Sequence, residues 1–385
     1  MIHGRNHSED SAGKDMKTNN SDISNSVQDD NSEIELFEFE TASVTPENVN
    51  EYYSNVDYDN FDEMHSAINN YIHSQPQSKP VTFKWKYKNG VSVKETKLLL
   101  SENSDMSSAC EFPVTDGAMQ ASVSNLYSDR DYYYQIVSVK SDGSEINSKI
   151  SAFKTEPGRR IISIEGLVNA RDIGGIEIEG GRTIKQGLVY RTAEFDTDNY
   201  KITDKGLAEL NDRLAIKTEL DLRKPEQRGI SSTTNKSFLG DDVRYYNYVC
   251  AEYDDFLRNR HGDEGDILRV FADVDNYPIL FHCVYGADRT GTVAFLLEGL
   301  CGADLDQLIK DYELTAWRNR TYDPFRALVK YSEKAFKGEK LSDKIYTFMK
   351  EQCGLTEMEI SNIRNILTTD TAVFSSDSIG KPIIR

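Results

Sequence analysis

The stretch "ILFHCVYGADRTGTVAFLLEGL" (residues 279–300) sets Cys283 six residues before Arg289, with Thr290 and Gly291 directly after it. An apolar run leads in and a helical pattern leads out, so the cysteine stands where a strand turns through a loop into a helix. Backbone N–H groups converge at such a junction and the helix dipole adds positive potential, which suits an anion such as phosphate. The same field draws a thiol toward its thiolate. Arg289 offers a planar fork for two phosphate oxygens, Gly286 permits the backbone turn, and the Thr290 hydroxyl can donate to the sulfur. Together these parts describe in-line attack of a thiolate on phosphorus, with a phosphocysteine that water later hydrolyses. Cys110, Cys250, Cys301 and Cys353 have no such setting and read as small buried hydrophobes. For Cys250 a protective disulfide with Cys283 under oxidation is the alternative.

The oxygen leaving a phosphate ester takes up a proton, so a carboxylic acid should stand near the loop. Asp288 lies inside it, beside Arg289; its alternative role is to fix the loop by accepting backbone N–H bonds. "CAEYDDF" (250–256) supplies Glu252, Asp254 and Asp255, each of which also suits a solvated acidic turn. Asp221 in "LDLR" is a third candidate, with a structural ion pair to Arg223 as the simpler reading. Arg171 and Asp172 in "NARDIGG" read as architecture around a glycine turn. His282 could stabilise the thiolate as an imidazole, and orienting the loop backbone by hydrogen bonds is the simpler reading. No second histidine lies at ligand spacing, so neither a metal site nor a cofactor is expected. The remaining histidines (His3, His7, His65, His73, His261) sit alone in polar surroundings.

The elements that must position this loop follow "EPGRR" (156–160). Strand-like "GLVYRTAE", "KTELDLR", "VRYYNYV" and "YPILFHC" alternate with helical "TDKGLAELNDRLAI", where Leu207, Leu210 and Leu214 recur at helical spacing, and "GDILRVFADV". Such alternation predicts an α/β domain with a mostly parallel central sheet flanked by helices, over 157–370. Beyond Gly291 the pattern is helical to about Leu367, and 371–385 form a tail. Upstream, "VTFKWKY", "KETKLLL", "AMQASVS", "DYYYQIVSV" and "SKISAFKT" are short strands with turns at "KNG" and "SDGS", which predicts an all-β sandwich over 78–156. Residues 41–76 form a short helical segment, with Thr45 as N-cap and Pro46 opening a helix. A second stripe follows at Phe61, Met64, Ile68, Tyr71 and Ile72, before a linker, "SQPQSKP". Residues 1–40 are expected to be a disordered acidic tail.

The chain of 385 residues suits two domains with tails. Its net charge is -19, and the fourteen acidic and three basic side chains of residues 1–60 place -11 of that there. An acidic balance argues against nucleic acid and acidic membrane surfaces as partners. No apolar run is long enough to span a membrane. The amino terminus has no hydrophobic leader, so the chain as written suits the cytoplasm, and secretion would require a leader missing from it.

"HCVYGADRTG", with "NARDIGG", "YRTAE", "LDLR" and "DYELT" in that order around it, resembles the atypical bacterial tyrosine and dual-specificity phosphatases. These include secreted enzymes of mycobacteria and Listeria. The resemblance covers roughly 160–370 and implies the cysteine-phosphatase fold, with Cys283 as nucleophile and Arg289 as phosphate ligand. It makes Val284, Tyr285, Gly286, Ala287, Asp288 and Arg289 the phosphate-binding loop. Relatives carry an aspartate near "CAEYDDF", which nominates Asp254 as the acid beside Asp288. Many also have lysine where this chain has Ala287, a feature associated with phosphoinositide hydrolysis. The sandwich is similar to a fibronectin type III module, suited to binding or to spacing.

The expected function is hydrolysis of phosphotyrosine, and of phosphoserine or phosphothreonine, on a protein or a small phosphomonoester. The alternatives are a phosphoinositide or inositol-phosphate phosphatase using the same loop, and a weakly active phosphate-binding module. Rhodanese-like sulfurtransferases and arsenate reductases also set a cysteine above an anion loop, but the paired His-Cys and Arg-Thr-Gly with "NARDIGG" favour the phosphatase.

Overall fold

The structure is a computed structural model that describes residues 32–56, 61–229, 234–258, 263–318 and 322–368, with the side chains of 61–64 excepted. Most of the expected acidic tail, the C-terminal tail, His3, His7 and His261 lie outside these residues.

Three tetrapeptides, Val189–Thr192, Thr218–Asp221 and Ile279–His282, are buried at every position. That pattern belongs to parallel strands covered on both faces. They lie in a five-stranded sheet ordered Arg171–Asp172, Val189–Thr192, Ile279–His282, Thr218–Asp221, Arg244–Asn247. The last four run parallel and the first is antiparallel. Leu280 and Tyr190 face one core with Leu210 and Leu214. Ile279 and Phe281 face the other, which the helix Asp288–Leu300 fills. This helix is buried almost all round, so its position is set by packing rather than by one amphipathic stripe. Cys283 therefore leaves the carboxyl end of the middle strand, the place where open α/β sheets gather ligands. Among the described residues no helix is long and apolar enough to cross a membrane.

Upstream, a three-stranded sheet (Ile34–Phe37, Val81–Tyr87, Gln120–Val123) and a six-stranded sheet built on Val93–Ser101 and Asp131–Lys140 share one core. Alternation in "VTFKWKY" turns Val81, Phe83 and Trp85 inward, where they meet Tyr132, Tyr134 and Phe153. Residues 32–40, expected to belong to a disordered acidic tail, are ordered instead. Ile34–Phe37 pairs antiparallel with the Val81–Tyr87 strand, and Ile34 enters the core. The glutamates that suggested disorder make ion pairs instead, Glu35 with Lys86, Glu33 with Lys140 and Glu38 with Lys149.

Helix Glu47–Asn55 begins after Pro46, and no side chain caps it. The expected cap, Thr45, donates its hydroxyl to the Arg159 carbonyl at 2.9 Å. Val49, Tyr52, Ile68 and Ile72 pack on Ile161, Leu314 and Ala316 of the α/β domain. His65 is not alone: it meets Glu313 at 3.3 Å and stacks on Tyr322. The expected linkers are docked as well. In "SQPQSKP" the Ser78 N–H donates to the Ser163 hydroxyl at 2.7 Å, and in "EPGRR" both arginines are buried.

Arg160 joins the two domains. Its guanidinium donates to the Asn125 carbonyl of the upstream module at 2.8 Å and to Asp172 and the Tyr190 hydroxyl at 2.9 and 3.1 Å. It also lies 3.9 Å from the Tyr127 ring centre. Removing it would leave the Asp172 carboxylate buried without a cation. Arg160→Met is expected to cost about 3–5 kcal/mol in denaturant unfolding, and an effect below about 1 kcal/mol, typical of surface pairs, would contradict this coupling.

Candidate active site

After His282 the chain turns sharply, and Gly286 adopts φ +67°. A Cβ there would lie 2.5 Å from the carbonyl carbon and oxygen of Thr192 on the neighbouring strand, so only glycine fits. Side chains hold the loop from outside. The Asn169 amide donates to the Tyr285 and Gly286 carbonyls at 3.1 Å each, and Arg191 donates to Gly286 at 3.0 Å. With these carbonyls engaged, the N–H groups of Tyr285 and Thr290 turn to the Cys283 sulfur.

Cys283 is 1% exposed. Burial pushes its thiol up, but the Arg289 guanidinium, the Thr290 hydroxyl and those two N–H groups outweigh it and hold the thiol below its ordinary range. Arg289 is itself fixed, donating to the Leu222 carbonyl and the Gln227 side-chain oxygen, each at 2.9 Å. The other cysteines lack this company. Burial raises Cys301 and Cys353 to about 12 and pushes Cys250 higher still, although Arg289 pulls the other way. All five are free thiols, and Cys353 is only partly buried.

The support beneath the loop centres on a residue without an expected role, Asp311 of "DYELT". Its carboxylate accepts from Arg159 at 2.6 Å, Arg171 at 3.0 Å and Arg191 at 2.7 Å, all four side chains being buried. Burial opposes the charge, and the three guanidiniums hold the carboxyl well below the usual range. Arg171 also donates to the Asn169 side-chain oxygen at 2.9 Å, so Asp311 reaches the loop through both Arg171–Asn169 and Arg191. Asp172 accepts from the Gly174 and Gly187 N–H groups at 2.8 and 2.6 Å and fixes the glycine turn. Two signals pointed to Asp311: its place in the "DYELT" motif, and an aspartate among the apolar residues Leu308, Ile309 and Tyr312 of an amphipathic helix.

The acid candidates separate. Asp288 opens the loop helix, half-buried, and its carboxylate accepts from the Tyr253 hydroxyl. The Asp254 carboxylate turns to Arg258 at 2.7 Å, and Arg258 covers the Tyr331 ring. Glu252 and Asp255 are exposed. Asp221 is buried against Arg223 at 2.8 Å and the Tyr245 hydroxyl at 2.9 Å. His282 meets Glu219 at 3.0 Å, and Glu219 accepts from Ser237 at 2.5 Å. Ligand atoms of Glu219, Asp221 and His282 lie within 4.8 Å of one another, but both carboxylates are committed to protein donors. At the rim, Tyr285 is 43% exposed. The Arg318 guanidinium lies 4.8 Å from its ring centre, 5.1 Å from Tyr200 and 5.0 Å from Trp317.

A thiol held toward its thiolate, with an arginine six residues on and a mostly parallel sheet behind it, defines a cysteine phosphatase. Residues 162–369, more than half of the chain, match the tyrosine phosphatase family, and the chain belongs to that family. It is similar to a Cupriavidus necator protein named as a tyrosine-protein phosphatase, 26% identical over 187 residues that span 43% of this chain and 67% of the relative. It is also similar to an inositol diphosphatase of Arabidopsis thaliana, 38% identical over 58 residues, 14% of this chain and 29% of the relative. Among solved structures, the catalytic core of a PP-IP phosphatase from S. cerevisiae matches 46% of this chain and 90% of that core at 18% identity, with a TM-score of 0.30.

Because the Cys283 thiol is depressed, its thiolate persists as pH falls below the ordinary thiol range, whereas Cys250, Cys301 and Cys353 are protonated there. Iodoacetate below the ordinary thiol range is therefore expected to alkylate Cys283 in preference to Cys250, Cys301 and Cys353, read by peptide mass spectrometry. Equal labelling of the four would contradict the depressed thiol.

Proposed function

We propose that the chain hydrolyses phosphomonoesters through Cys283 as nucleophile, with Arg289 and the loop from Val284 to Asp288 binding the phosphate. The reading rests on the buried Cys283 thiol, which only the Arg289 field, Thr290 and the loop amides bring below its usual range. The thiolate forms an S–P bond as the ester P–O bond breaks, and the Asp288 carboxylic acid gives its proton to the departing oxygen. The resulting carboxylate then takes a proton from water as water attacks phosphorus, the S–P bond breaks and the thiolate returns. Arg289 tracks the phosphoryl oxygens in both steps. Asp288 is preferred to Asp254 as the acid because Asp254 is paired with Arg258.

Phosphotyrosine is the substrate this reading favours. Ala287 places a buried methyl rather than a cation just before Asp288, and the rings of Tyr285, Tyr200 and Trp317 around Arg318 offer aromatic faces beside the loop. A second reading, an inositol diphosphatase, is favoured by the 58-residue similarity to the Arabidopsis enzyme. The upstream two-sheet module, of the fibronectin type III kind in this reading, serves as a brace, since Arg160 fastens it to the turn at Asp172.

With p-nitrophenyl phosphate the wild-type chain should turn over, insensitive to EDTA and inhibited by vanadate, and Cys283→Ser should fall to background. Turnover that EDTA abolishes and Cys283→Ser retains would contradict the thiolate mechanism. In a direct comparison of kcat/KM, a phosphotyrosine peptide should exceed an inositol pyrophosphate by at least about tenfold, a difference of about 1.4 kcal/mol in transition-state binding. The reverse order would establish the second reading.

A further inference from the structure

We infer that Tyr253 is a positioning residue for the proton donor, holding the Asp288 carboxyl in line with the leaving group. The inference rests on the proposed role of Asp288 and concerns a residue that touches neither the loop cysteine nor the arginine in the contacts described above. Tyr253 lies in "CAEYDDF", flanked by the acidic residues first considered as acids.

Three observations single it out. Tyr253 adopts φ +56°, a left-handed conformation that a bulky aromatic residue avoids unless its surroundings impose it. Its backbone and side chain are both tied to the first turn of the loop helix. The Tyr253 N–H donates to the Thr292 hydroxyl at 2.8 Å, and that hydroxyl donates to the Asp288 carbonyl at 3.0 Å. The Tyr253 hydroxyl donates to the Asp288 carboxylate. Finally, the Tyr253 oxygen lies 2.8 Å from the Tyr312 hydroxyl, and with the Tyr253 proton directed at Asp288, Tyr312 is the donor of that pair. Tyr312 in turn stacks flat on Phe325, with ring centres 3.8 Å apart. The two buried tyrosines form a relay of fixed geometry from the packed helices to one carboxyl oxygen of Asp288.

This arrangement acts on the proton-transfer step. As the P–O bond breaks, the Asp288 proton passes to the departing oxygen and a carboxylate is left. A hydrogen bond from Tyr253 strengthens as that negative charge develops, so it favours the transition state over the ground state. In the second step the same bond holds the carboxylate while it takes a proton from the attacking water. Tyr253 keeps its own proton throughout.

The test uses the full chain and aryl phosphates of graded leaving-group pKa, with kcat/KM measured for wild type, Tyr253→Phe, Asp288→Asn and the double variant. Tyr253→Phe keeps the ring and removes only the hydroxyl. It is expected to lose about tenfold on the poorest leaving group, the scale of one hydrogen bond to a charged group, and almost nothing on the best. The double variant should match Asp288→Asn alone, and vanadate affinity in Tyr253→Phe should equal wild type. Tyr312→Phe should give the same graded pattern at smaller size, which keeps the test open if Tyr253→Phe does not fold. A graded Asp288→Asn profile beside a flat Tyr253→Phe profile, or losses that multiply in the double variant, would overturn the role of Tyr253 alone. A flat Asp288→Asn profile would overturn Asp288 as donor and this inference with it.

Discussion

Asp311 and the arginines Arg159, Arg171 and Arg191 form a buried ion cluster on which the loop geometry depends. Taking four charges out of water costs several kcal/mol per ion, and only close, well-directed bonds offset it. The arginines come from three places: the inter-domain segment, the antiparallel edge strand and the strand beside the centre. One carboxylate therefore gathers three otherwise separate pieces of chain under the loop. Buried Glu298 lies close by, and burial together with Asp311 pushes its carboxyl well above the usual range, toward the neutral form. The cluster thus retains net positive charge directly beneath the loop, a fixed field built into the fold.

The same cluster explains why the upstream module is part of the enzyme's architecture. Arg159 enters the hub while its neighbour Arg160 reaches back to Asn125 and Asp172. Two consecutive residues of an apparent linker hold the two-sheet module, the glycine turn and the loop support in one network. The helical segment adds an apolar seal, with Val49 and Tyr52 against Ile161 and Leu314.

At the loop, two opposing effects decide the chemistry. Burial raises the thiols of Cys250 and Cys301. Cys283 is as buried as either, yet its thiol is depressed. The difference lies in oriented donors that favour the thiolate at close range, where low dielectric strengthens them. Preorganised donors around a buried sulfur draw it toward its thiolate. The two acidic side chains near the loop differ in the same way, since Asp288 accepts from the Tyr253 hydroxyl whereas Asp254 is paired with Arg258.

Much of this was legible in the residues. The spacing from Cys283 to Arg289, the apolar strand before it and the alternation of "VTFKWKY" are local patterns, and local patterns follow from backbone geometry over a few residues. Glu33, Glu35 and Glu38 misled because acidic composition implies disorder until lysines on neighbouring strands pair with them. Thr45 misled because its hydroxyl serves a carbonyl more than a hundred residues away. Asp311 and Tyr253 were hidden for the same reason, their partners being distant in sequence and brought close only by packing. The sequence by itself determined the reactive loop and the class of chemistry, because both depend on short-range backbone form. Tertiary structure alone decided what holds the loop and which carboxylate faces it, because ion pairs and hydrogen bonds are selected by proximity in space.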